Sequence, residues 1–316
     1  MRRIDPASHS TTIERAVLGS DAARSPLVAS WARSARLHGL DPAKRRPPER
    51  LTAAELTAAR DRMGPMIRLA GPSLDRLFQS VGGVGCCVLL ADRDGVPLDR
   101  RGAAVDDATF EEWGLWTGTI WAEAQEGTNG IGTCLAEGRA VTIHRQQHFL
   151  TRNTVLSCMS APIHDAGGGL IGALDVSSCR ADLTEGFASL IAQSVADAAR
   201  RIEAEGFLAA YPGARIVVVP RSETSGGDGL LAVDADDLVI GANRAARAAL
   251  GLVGDLRARP RPAADVLGQA GCDGLPDAER AVLVRALARA GGNVSKAARG
   301  LGISRATFHR KLGARD

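Results

Sequence analysis

Apolar residues between residues 81 and 178 come in short runs that turn-forming residues separate. "VGCCVLLADRDGVPLDRRG" predicts a strand, an Asp-Gly turn and a second strand, and "AVTIH" predicts another strand. "LSCMSAPIHDAGGGLIGALDVSS" predicts a hairpin around a glycine-rich turn at 166–169. Between them, "TNGIGTCLAEG" predicts a short helix that begins at Thr128 or Asn129 and ends at Gly138. This order predicts an antiparallel sheet with intervening helices.

Helical spacing dominates on both sides of this region. After it, apolar residues of "EGFASLIAQSVADAARRIEAEGF" recur every three or four positions, which predicts a long amphipathic helix over 185–205. Before it, "SPLVASWARSARLHGL" also has helical spacing. "LTAAELTAARDRM" begins a helix at Thr52, and Glu55 three residues later completes a capping box. A further helix is expected over 65–80.

The rest of the chain repeats the mixed pattern once and then becomes helical. "GLLAVDADDLVIGANRAARAALGL" (229–252) predicts strand, acidic turn, strand and helix, and the Pro-, Arg- and Gly-rich stretch after it predicts a linker. The expected fold class is α+β. Its expected parts are a helical and linker segment (1–50), a sheet domain (51–208), a strand-and-helix fragment (226–253), a linker (254–274) and an all-α module (275–316).

The C-terminal stretch "GGNVSKAARGLGISRATFHRKLG" (291–313) has the spacing of a helix-turn-helix, in which the first helix holds the second against the major groove of DNA. Gly302 suits the positive φ that ends a helix, and Asn293 and Ser304 are good N-caps, one for each helix. An apolar core is expected from Val294, Ala297, Ala298 and Leu301 of the first helix, Ile303 of the turn, and Ala306, Phe308 and Leu312 of the second helix.

Charge is distributed unevenly along the chain. The net charge is +3, but residues 275–316 carry nine Lys or Arg against three acids, so this part has +6 and the rest has −3. A basic tail on a mildly acidic body is typical of a polyanion-binding module attached to another domain. The outward positions of the second helix are Arg305, Thr307, His309, Arg310 and Lys311, whose donors suit phosphate and base edges. The alternative is a helical hairpin with a solvated basic face.

The same stretch resembles the Fis-type helix-turn-helix, whose pattern is close to "GNxxxAAxxLGISRxTLxRKL", with Phe308 in place of the usual Leu. The resemblance implies a homodimer in which the helix at 277–292 helps to pair the subunits. It also implies that double-stranded DNA is contacted by Asn293, Ser295, Ser304, Arg305, Thr307, His309, Arg310 and Lys311.

The middle of the chain resembles the GAF sensor domain of acetoin-type activators. The residues that carry this are "SWARSARLHGLDP" (30–42), "WAEAQEGTNGIGTCLAEGRAVTIHRQQHFL" (121–150) and "CMSAPIHDAGGGLIGALDVS" (158–177). In that family the GAF domain senses a small molecule, an ATPase domain remodels sigma-54 polymerase, and a Fis-type module binds DNA. This sequence contains no G-x-x-x-x-G-K-[ST], and therefore no P-loop. Where an ATPase would stand, 229–252 resembles the opening of a PAS domain.

Candidate ligand-binding residues lie around "GTNGIG". Trp113, Trp116 and Trp121 come shortly before it, and aromatic residues on a glycine-containing loop are typical of a pocket wall, although the alternative is that they are core residues. Glu123 and Asn129 would orient a polar ligand, unless Asn129 only caps the following helix. Cys158 shares a strand face with Leu156 and Ser160, so it either enters this pocket or is a buried apolar residue. No cofactor is firmly implied, and the effector is a small molecule of unknown identity.

Histidines and cysteines leave two further readings open. His144, His148 and Cys158 raise a metal or heme hypothesis, but His144 is expected to end a strand, which removes the helical geometry that "HRQQH" would need. No metal ligand is therefore predicted. The six cysteines show no C-x-x-C spacing and are expected to be free thiols.

The sequence therefore predicts a one-component, non-enzymatic DNA-binding transcription regulator whose GAF domain responds to a small molecule. The expected partners are double-stranded DNA, an effector, a second copy of the chain, and RNA polymerase or a sigma-54 activator. Without a signal peptide or a long apolar run, a cytoplasmic location and no membrane contact are expected. The alternatives are a redox enzyme that uses the thiols of Cys86, Cys134 and Cys158, and a co-regulator of a separate sigma-54 ATPase activator.

Overall fold

The computed structural model describes residues 6–19, 21–45, 47–220, 227–268 and 274–313. The chain divides into two compact units, Met1–Pro260 and Arg261–Asp316. Across the described residues, no helix is both long and apolar enough to cross a membrane.

The elements of the first unit include the predicted sheet and its flanking helices. Its α-helices are α1 (Pro6–Leu18), α2 (Pro26–Ala32), α3 (Ala53–Val81), α4 (Asp107–Glu112), α5 (Glu123–Glu126), α6 (Gly130–Glu137), α7 (Glu185–Ala210) and α8 (Arg244–Leu250). Its strands are β1 (Cys86–Asp92), β2 (Pro97–Arg101), β3 (Val141–His144), β4 (Ser157–His164), β5 (Leu170–Ser178), β6 (Arg215–Val219), β7 (Gly229–Val233) and β8 (Leu238–Ala242). A π-helical segment, Arg33–Leu37, continues α2.

The main sheet has the strand order β2-β1-β5-β4-β3 and is antiparallel throughout. The predicted hairpins β1–β2 and β4–β5 are both confirmed. At the tip of the second hairpin, the Asp165 carboxylate accepts hydrogen bonds from the backbone N–H groups of Gly167 and Gly169, and Gly168 has a φ of +90°. The glycines therefore allow a tight turn in which Gly168 has a positive φ.

The two faces of the main sheet are covered by different helices. Side chains alternate along a strand: Cys86, Val88 and Leu90 of β1 pack in a core with α3 and α7. Cys87 and Leu89, on the opposite face, pack in a core that contains Phe110, Leu115 and Trp121. Helix α6 lies against β4 and β5. The sheet is therefore buried on both sides.

Helix α3 corrects one expectation. The Thr52 capping box is confirmed, since the Thr52 N–H donates to Glu55 Oε2 at 2.8 Å and the Glu55 N–H donates to Thr52 Oγ1 at 3.3 Å. The prediction of a separate helix over 65–80 was wrong, because one helix runs from Ala53 to Val81 with Pro65 and Pro72 inside it. Its buried face continues past both prolines and packs on the sheet, and this packing offsets the hydrogen bonds that proline removes.

The N-terminal helices pack on the sheet domain. The ring of His9 lies 3.0 Å from Thr151 Oγ1 through Nδ1 and 3.1 Å from the Gln146 carbonyl through Nε2. The Trp31 indole N–H donates to the Gln147 carbonyl at 2.8 Å. These contacts join α1 and α2 to the loop between β3 and β4.

The strand-and-helix fragment packs at the C-terminal end of α7. Strands β6, β7 and β8 lie side by side and antiparallel, and the Asn243 side chain caps α8 by accepting from the Ala246 N–H. Strands β7 and β8 and helix α8 match the sequence pattern, whereas β6 was not predicted. The rings of Phe207 and Tyr211 are 4.9 Å apart, and the Arg257 guanidinium lies 4.6 Å from the Tyr211 ring.

The second unit begins with a two-residue strand, β9 (Arg261–Pro262), and a short helix, α9 (Ala263–Val266), both within the stretch expected to be a linker. Three helices follow, α10 (Leu275–Arg289), α11 (Val294–Gly300) and α12 (Arg305–Gly313). Leu283, Ala297, Ala298 and Phe308 form their buried core. The mixed sheet-and-helix unit and the three packed helices of the second unit together confirm the α+β fold class.

Candidate DNA interface and effector site

The turn between α11 and α12 is fixed by the residues that the sequence singled out. Asn293 Oδ1 accepts from the Lys296 N–H at 3.0 Å, and Ser304 Oγ accepts from the Thr307 N–H at 3.1 Å. Gly302 has a φ of +68°. Both N-caps and the left-handed turn residue are therefore confirmed, and they set the angle at which α12 leaves α11.

The core of this unit agrees with prediction except at one position. Ala297, Ala298 and Phe308 are buried, and Val294, Leu301, Ile303 and Leu312 are partly buried against them. Ala306 was expected to face this core but is exposed. Phe308 is buried, and a residue two positions earlier points about 200° away around a helix, so Ala306 lies on the outer surface with Arg305 and Arg310.

The predicted DNA-contacting residues divide into two groups. Arg305, His309 and Arg310 are exposed, and within the described residues their side chains have no ion-pair partner. The exposed Ser295 on α11 is likewise open to solvent. The other predicted residues are engaged in the fold. Asn293 and Ser304 are caps, Thr307 Oγ1 lies 2.8 Å from Ser304 Oγ, and Lys311 forms an ion pair with Glu279 of α10.

In the first unit, a buried polar cluster lies on the α6-facing side of the sheet. Asp175 accepts hydrogen bonds from the hydroxyls of Ser160 and Ser177, the latter at 2.6 Å. Ser177 Oγ lies 3.1 Å from Cys158 Sγ, which lies 3.5 Å from His148 Nε2. All five side chains are buried. Cys158 and His148 of this polar cluster were singled out from the sequence, whereas Asp175 and Ser177 were not.

Burial shifts the pKa values of the titratable groups in the polar cluster. Burial raises the pKa of Asp175 to about 6 and that of the Cys158 thiol well above its ordinary value. Burial also lowers the pKa of His148 to about 4. His148 Nδ1 lies 3.0 Å from the Arg145 carbonyl, which can only accept, so Nδ1 carries the proton. His148 Nε2 is then the acceptor that the Cys158 thiol faces.

The three predicted tryptophans do not form one pocket wall. Trp121 is a core residue with 2% exposure, and its indole N–H donates to the Gly114 carbonyl at 2.8 Å. Trp113 packs partly buried against the same core. Trp116 stacks on the Arg100 guanidinium, which lies 4.2 Å from its ring. Two buried nitrogens of Arg100, Nε and Nη2, have no hydrogen-bond partner among the described residues.

Glu123 and Asn129 are both buried and engaged. Arg33 Nη2 donates to Glu123 Oε2 at 2.7 Å, and this carboxylate raises the pKa of Arg33. The ion pair ties the segment after α2 to α5. Asn129 caps α6 by accepting from the Gly132 N–H at 2.8 Å, and its amide donates to the carbonyls of Trp121 and Gly127.

A cleft of about 730 Å³ lies beside Glu123, between α3, the β1–β2 turn and helices α5 and α6. We call it the α3–α5 cleft. Gln125 lines it, and the buried Oε1 of Gln125 has no hydrogen-bond partner in the described part of the chain. The cleft is within the size range of small-molecule sites. Gln125 was not predicted from the sequence, because an isolated Gln between Glu123 and Glu126 is typical of a solvated position.

The candidate thiols of Cys86, Cys134 and Cys158 are buried, and the two candidate histidines face different partners. Burial raises the pKa of the thiols of Cys86, Cys87, Cys134, Cys158 and Cys179, the last to about 12, which disfavours the reactive thiolate. Cys272 lies outside the described residues. His144 Nδ1 lies 2.8 Å from Ser157 Oγ, whereas His148 faces Cys158. Among the described residues, no three His, Cys, Asp or Glu side chains are grouped so that they would hold a metal ion.

A sensor-type sheet domain and a helix-turn-helix in one chain define a DNA-binding transcription regulator. Residues 274–314 match the Fis family of bacterial regulatory proteins, and residues 7–203 match the MimR N-terminal domain. The chain therefore belongs to the family of regulators that carry the MimR N-terminal domain.

Relatives with curated names are also regulators. The acetoin catabolism regulatory protein of Cupriavidus necator is 35% identical over 76% of this chain and 36% of its own length. The propane 2-monooxygenase operon transcriptional activator MimR of Mycolicibacterium smegmatis is 31% identical over 56% of this chain and 29% of its own length. This chain thus spans about a third of the length of these relatives.

A solved structure shares the fold. The E. coli DhaR(N)-DhaL complex matches with a TM-score of 0.53 and 19% identity, over 72% of this chain and 78% of that chain. The low identity limits this likeness to the fold.

Proposed function

We propose that the chain is a one-component regulator in which a small molecule bound to the first unit controls DNA binding by the second. Two features in one chain carry the proposal. Helix α12 of the helix-turn-helix, which we call the reading helix, exposes cations that have no ion-pair partner among the described residues. The sheet domain has an open, partly polar cleft. Arg305, His309 and Arg310 are then the groups that meet phosphates and base edges.

The α3–α5 cleft is the effector site in this proposal. The unpartnered Gln125 Oε1 would accept a hydrogen bond, so the effector is a small neutral or polar molecule with a hydroxyl or amide donor. Leu135, Val96 and Ile120 supply apolar walls. The Arg33–Glu123 ion pair joins α5 to the segment after α2, and Glu123 lines the cleft. A bound ligand would therefore change this ion pair.

Homodimerisation completes the proposed mechanism. Helix α10 exposes Val282 and Val284, and α7 exposes Phe187, Leu190 and Leu208, which gives both units apolar surface for a second copy. An effector that prefers one arrangement of the dimer would shift the spacing of the paired reading helices. Regulation of this kind needs no nucleotide hydrolysis, in keeping with the absence of a P-loop motif from these 316 residues.

Selection of genomic DNA fragments by the purified chain tests the DNA-binding part. Two variants are compared with the wild type, and each removes one exposed cation. Arg305→Ala changes the reading helix, and Arg285→Ala on α10 is the control. The expected result is enrichment of a few palindromic sites by the wild type and by Arg285→Ala, and weaker, less selective enrichment by Arg305→Ala. Equal enrichment by all three proteins would contradict the placement of the reading helix.

A second candidate is a co-regulator of a separate ATPase-bearing activator. It is favoured by the fact that the chain matches only about a third of relatives whose names describe activators and regulators. Co-purification of the tagged chain with such an activator from cells would support this function. Sequence-specific DNA binding by the isolated chain, without any partner, would favour the one-component regulator.

A further inference from the structure

A second cavity of about 570 Å³ lies between the sheet domain and the strand-and-helix fragment. Its walls are the end of β4, the second half of α7, β7 and α8. We call it the fragment cavity. It is separate from the α3–α5 cleft, with which it shares no lining residue. Its volume falls within the range of small-molecule sites.

Arginines from three parts of the chain line the fragment cavity: Arg139 before β3, Arg200 and Arg201 on α7, and Arg244 on α8. Arg139 is paired with Glu137, and Arg200 is paired with Asp197. Arg201 and Arg244 form no ion pair with any described residue. The fragment cavity therefore has one uncommitted guanidinium from the sheet domain and one from the fragment.

The carboxylates that line the fragment cavity are mostly engaged. Glu203 Oε1 accepts from both the backbone N–H and the ring of His164, and Asp165 accepts from the glycines of the β4–β5 turn. Asp228 is exposed. These carboxylates keep their charge, so the lining of the fragment cavity holds four guanidinium groups against three carboxylates. Guanidinium groups bind carboxylate and phosphate oxygens in a two-pronged geometry, and Arg201 and Arg244 have no described ion-pair partner that would prevent it.

His164 adds a buried imidazole ring to the same cavity. Its side chain is 8% exposed, and its Nδ1 lies 2.7 Å from Glu203 Oε1. Because a carboxylate orients Nδ1 as a donor, the other ring nitrogen is left for a different partner. Nε2 has no hydrogen bond to any described residue. A structural role for the His164–Glu203 pair, closing β4 onto α7, explains Nδ1. Nε2 is an acceptor in the neutral ring and becomes a second donor, able to meet an oxyanion, when the ring is doubly protonated.

We propose that the fragment cavity binds a small oxyanion, either an organic acid or a phosphorylated metabolite, held by Arg201, Arg244 and His164. Such an anion would contact the sheet domain and the fragment together, so it would bind best when the fragment is docked on α7. The site would be distinct from the α3–α5 cleft and would give the strand-and-helix fragment a function of its own.

The test is thermal unfolding of the full chain with two probes, inorganic phosphate and succinate, each titrated against chloride at constant ionic strength. The variants are Arg201→Gln, Arg244→Gln and His164→Asn, which keeps an Nδ1-like donor for Glu203 but removes Nε2. Arg68→Gln, which removes an exposed cation of α3 outside the cavity, is the matched control.

We expect a saturable rise in Tm with at least one probe, and an apparent Kd that is weakened about tenfold or more in the three cavity variants but unchanged in Arg68→Gln. A response to phosphate alone would identify a phosphorylated ligand, and a response to succinate alone an organic acid. Failure of both probes to shift Tm in the wild type would overturn the proposal. Equal shifts in the wild type and all the variants would overturn it too, because they would show general screening.

Discussion

The two units of this chain use charged and polar side chains in opposite ways. In the sheet domain several of them are buried and paired with one another, as in the Arg33–Glu123 pair and the hydrogen bonds of Asp175. On the reading helix, Arg305 and Arg310 are exposed, with no ion-pair partner among the described residues. A buried polar group left unpaired costs free energy, whereas an exposed cation is free to meet another molecule. Substitutions in the sheet domain should therefore affect folding, and those on the reading helix should affect DNA binding.

The largest effect is expected where helix α6 meets the polar cluster. A Cβ on Gly130 would lie 2.5 Å from Cys158 Cβ and 2.8 Å from Asp175 Oδ1. Gly130→Ala should lower the free energy of unfolding by about 3 kcal/mol or more, because neither strand can withdraw. Chemical denaturation measures this change.

The matched control for Gly130 is Gly186 near the start of α7. A Cβ at this position meets no atom within 4 Å. Gly186→Ala should leave stability unchanged or raise it by up to about 1 kcal/mol, since Ala favours the helix. Similar losses in both variants would contradict tight packing of α6 on the cluster.

Asp175 and His148 should give the sheet domain an unusual pH dependence. The folded-state pKa of Asp175 is raised from 3.8 to about 6, so this group adds stability as pH falls from about 6 toward 3.8. The folded-state pKa of His148 is lowered from 6.5 to about 4, so this group loses stability as pH falls from 6.5 through 4. In the wild type the two contributions oppose each other.

Asp175→Asn removes one side of that balance. Relative to the wild type, its free energy of unfolding should fall by up to about 3 kcal/mol between pH 7 and pH 4. Urea unfolding at several pH values measures the difference in the free energy of unfolding between the variant and the wild type. The contributions of groups that both proteins share cancel in this difference. Asp94→Asn, at an exposed position of the β1–β2 turn, should follow the wild type. Parallel profiles for Asp175→Asn and the wild type would refute a buried, proton-binding Asp175.

Arg305→Ala tests the other region. It should weaken binding to the operator by about 1–3 kcal/mol and relax sequence preference at one position. Its free energy of unfolding should stay within about 0.5 kcal/mol of the wild type, because the side chain is exposed and has no described ion-pair partner. Arg285→Ala should cause a smaller loss that is the same for all DNA sequences. A large loss of stability in Arg305→Ala would contradict the claim that substitutions on the reading helix affect DNA binding and not folding.

The smallest effect is expected at Lys311, which lies on the reading helix but pairs with Glu279. Both side chains are substantially exposed, so Lys311→Gln should change the free energy of unfolding by less than about 1 kcal/mol. Operator affinity should fall less than in Arg305→Ala, because the ammonium is already held by a carboxylate. A loss as large as that of Arg305→Ala, measured by titration of the same operator, would show that the ion pair opens on DNA.

The sequence predicted local structure best where one residue type has one function. Asn129, Asn293 and Ser304 are N-caps, and Gly302 is a left-handed turn residue, as expected. These features depend on a few neighbouring residues, so the local sequence contains them.

Features set by tertiary contacts were predicted less well. Asp175 and Ser177 alternate with apolar Leu174 and Val176, a pattern that favours a strand with one solvated face. Helix α6 covers that face, so the polar residues are buried. The pairing of Lys311 with Glu279 was missed for the same reason, since it joins residues of two different helices. Helix α3 continues through Pro65 because it packs on the sheet, and the local sequence does not predict this packing.

Operator affinity measured across a panel of small polar metabolites tests most directly whether the first unit controls the second. The full chain and a Gln125→Ala variant would be titrated against one operator with each compound in turn. The account predicts that at least one compound changes the operator Kd about fivefold or more, and that this effect is lost in Gln125→Ala while basal DNA binding persists. Firm operator binding that no compound changes, or a compound effect that Gln125→Ala retains in full, would contradict it.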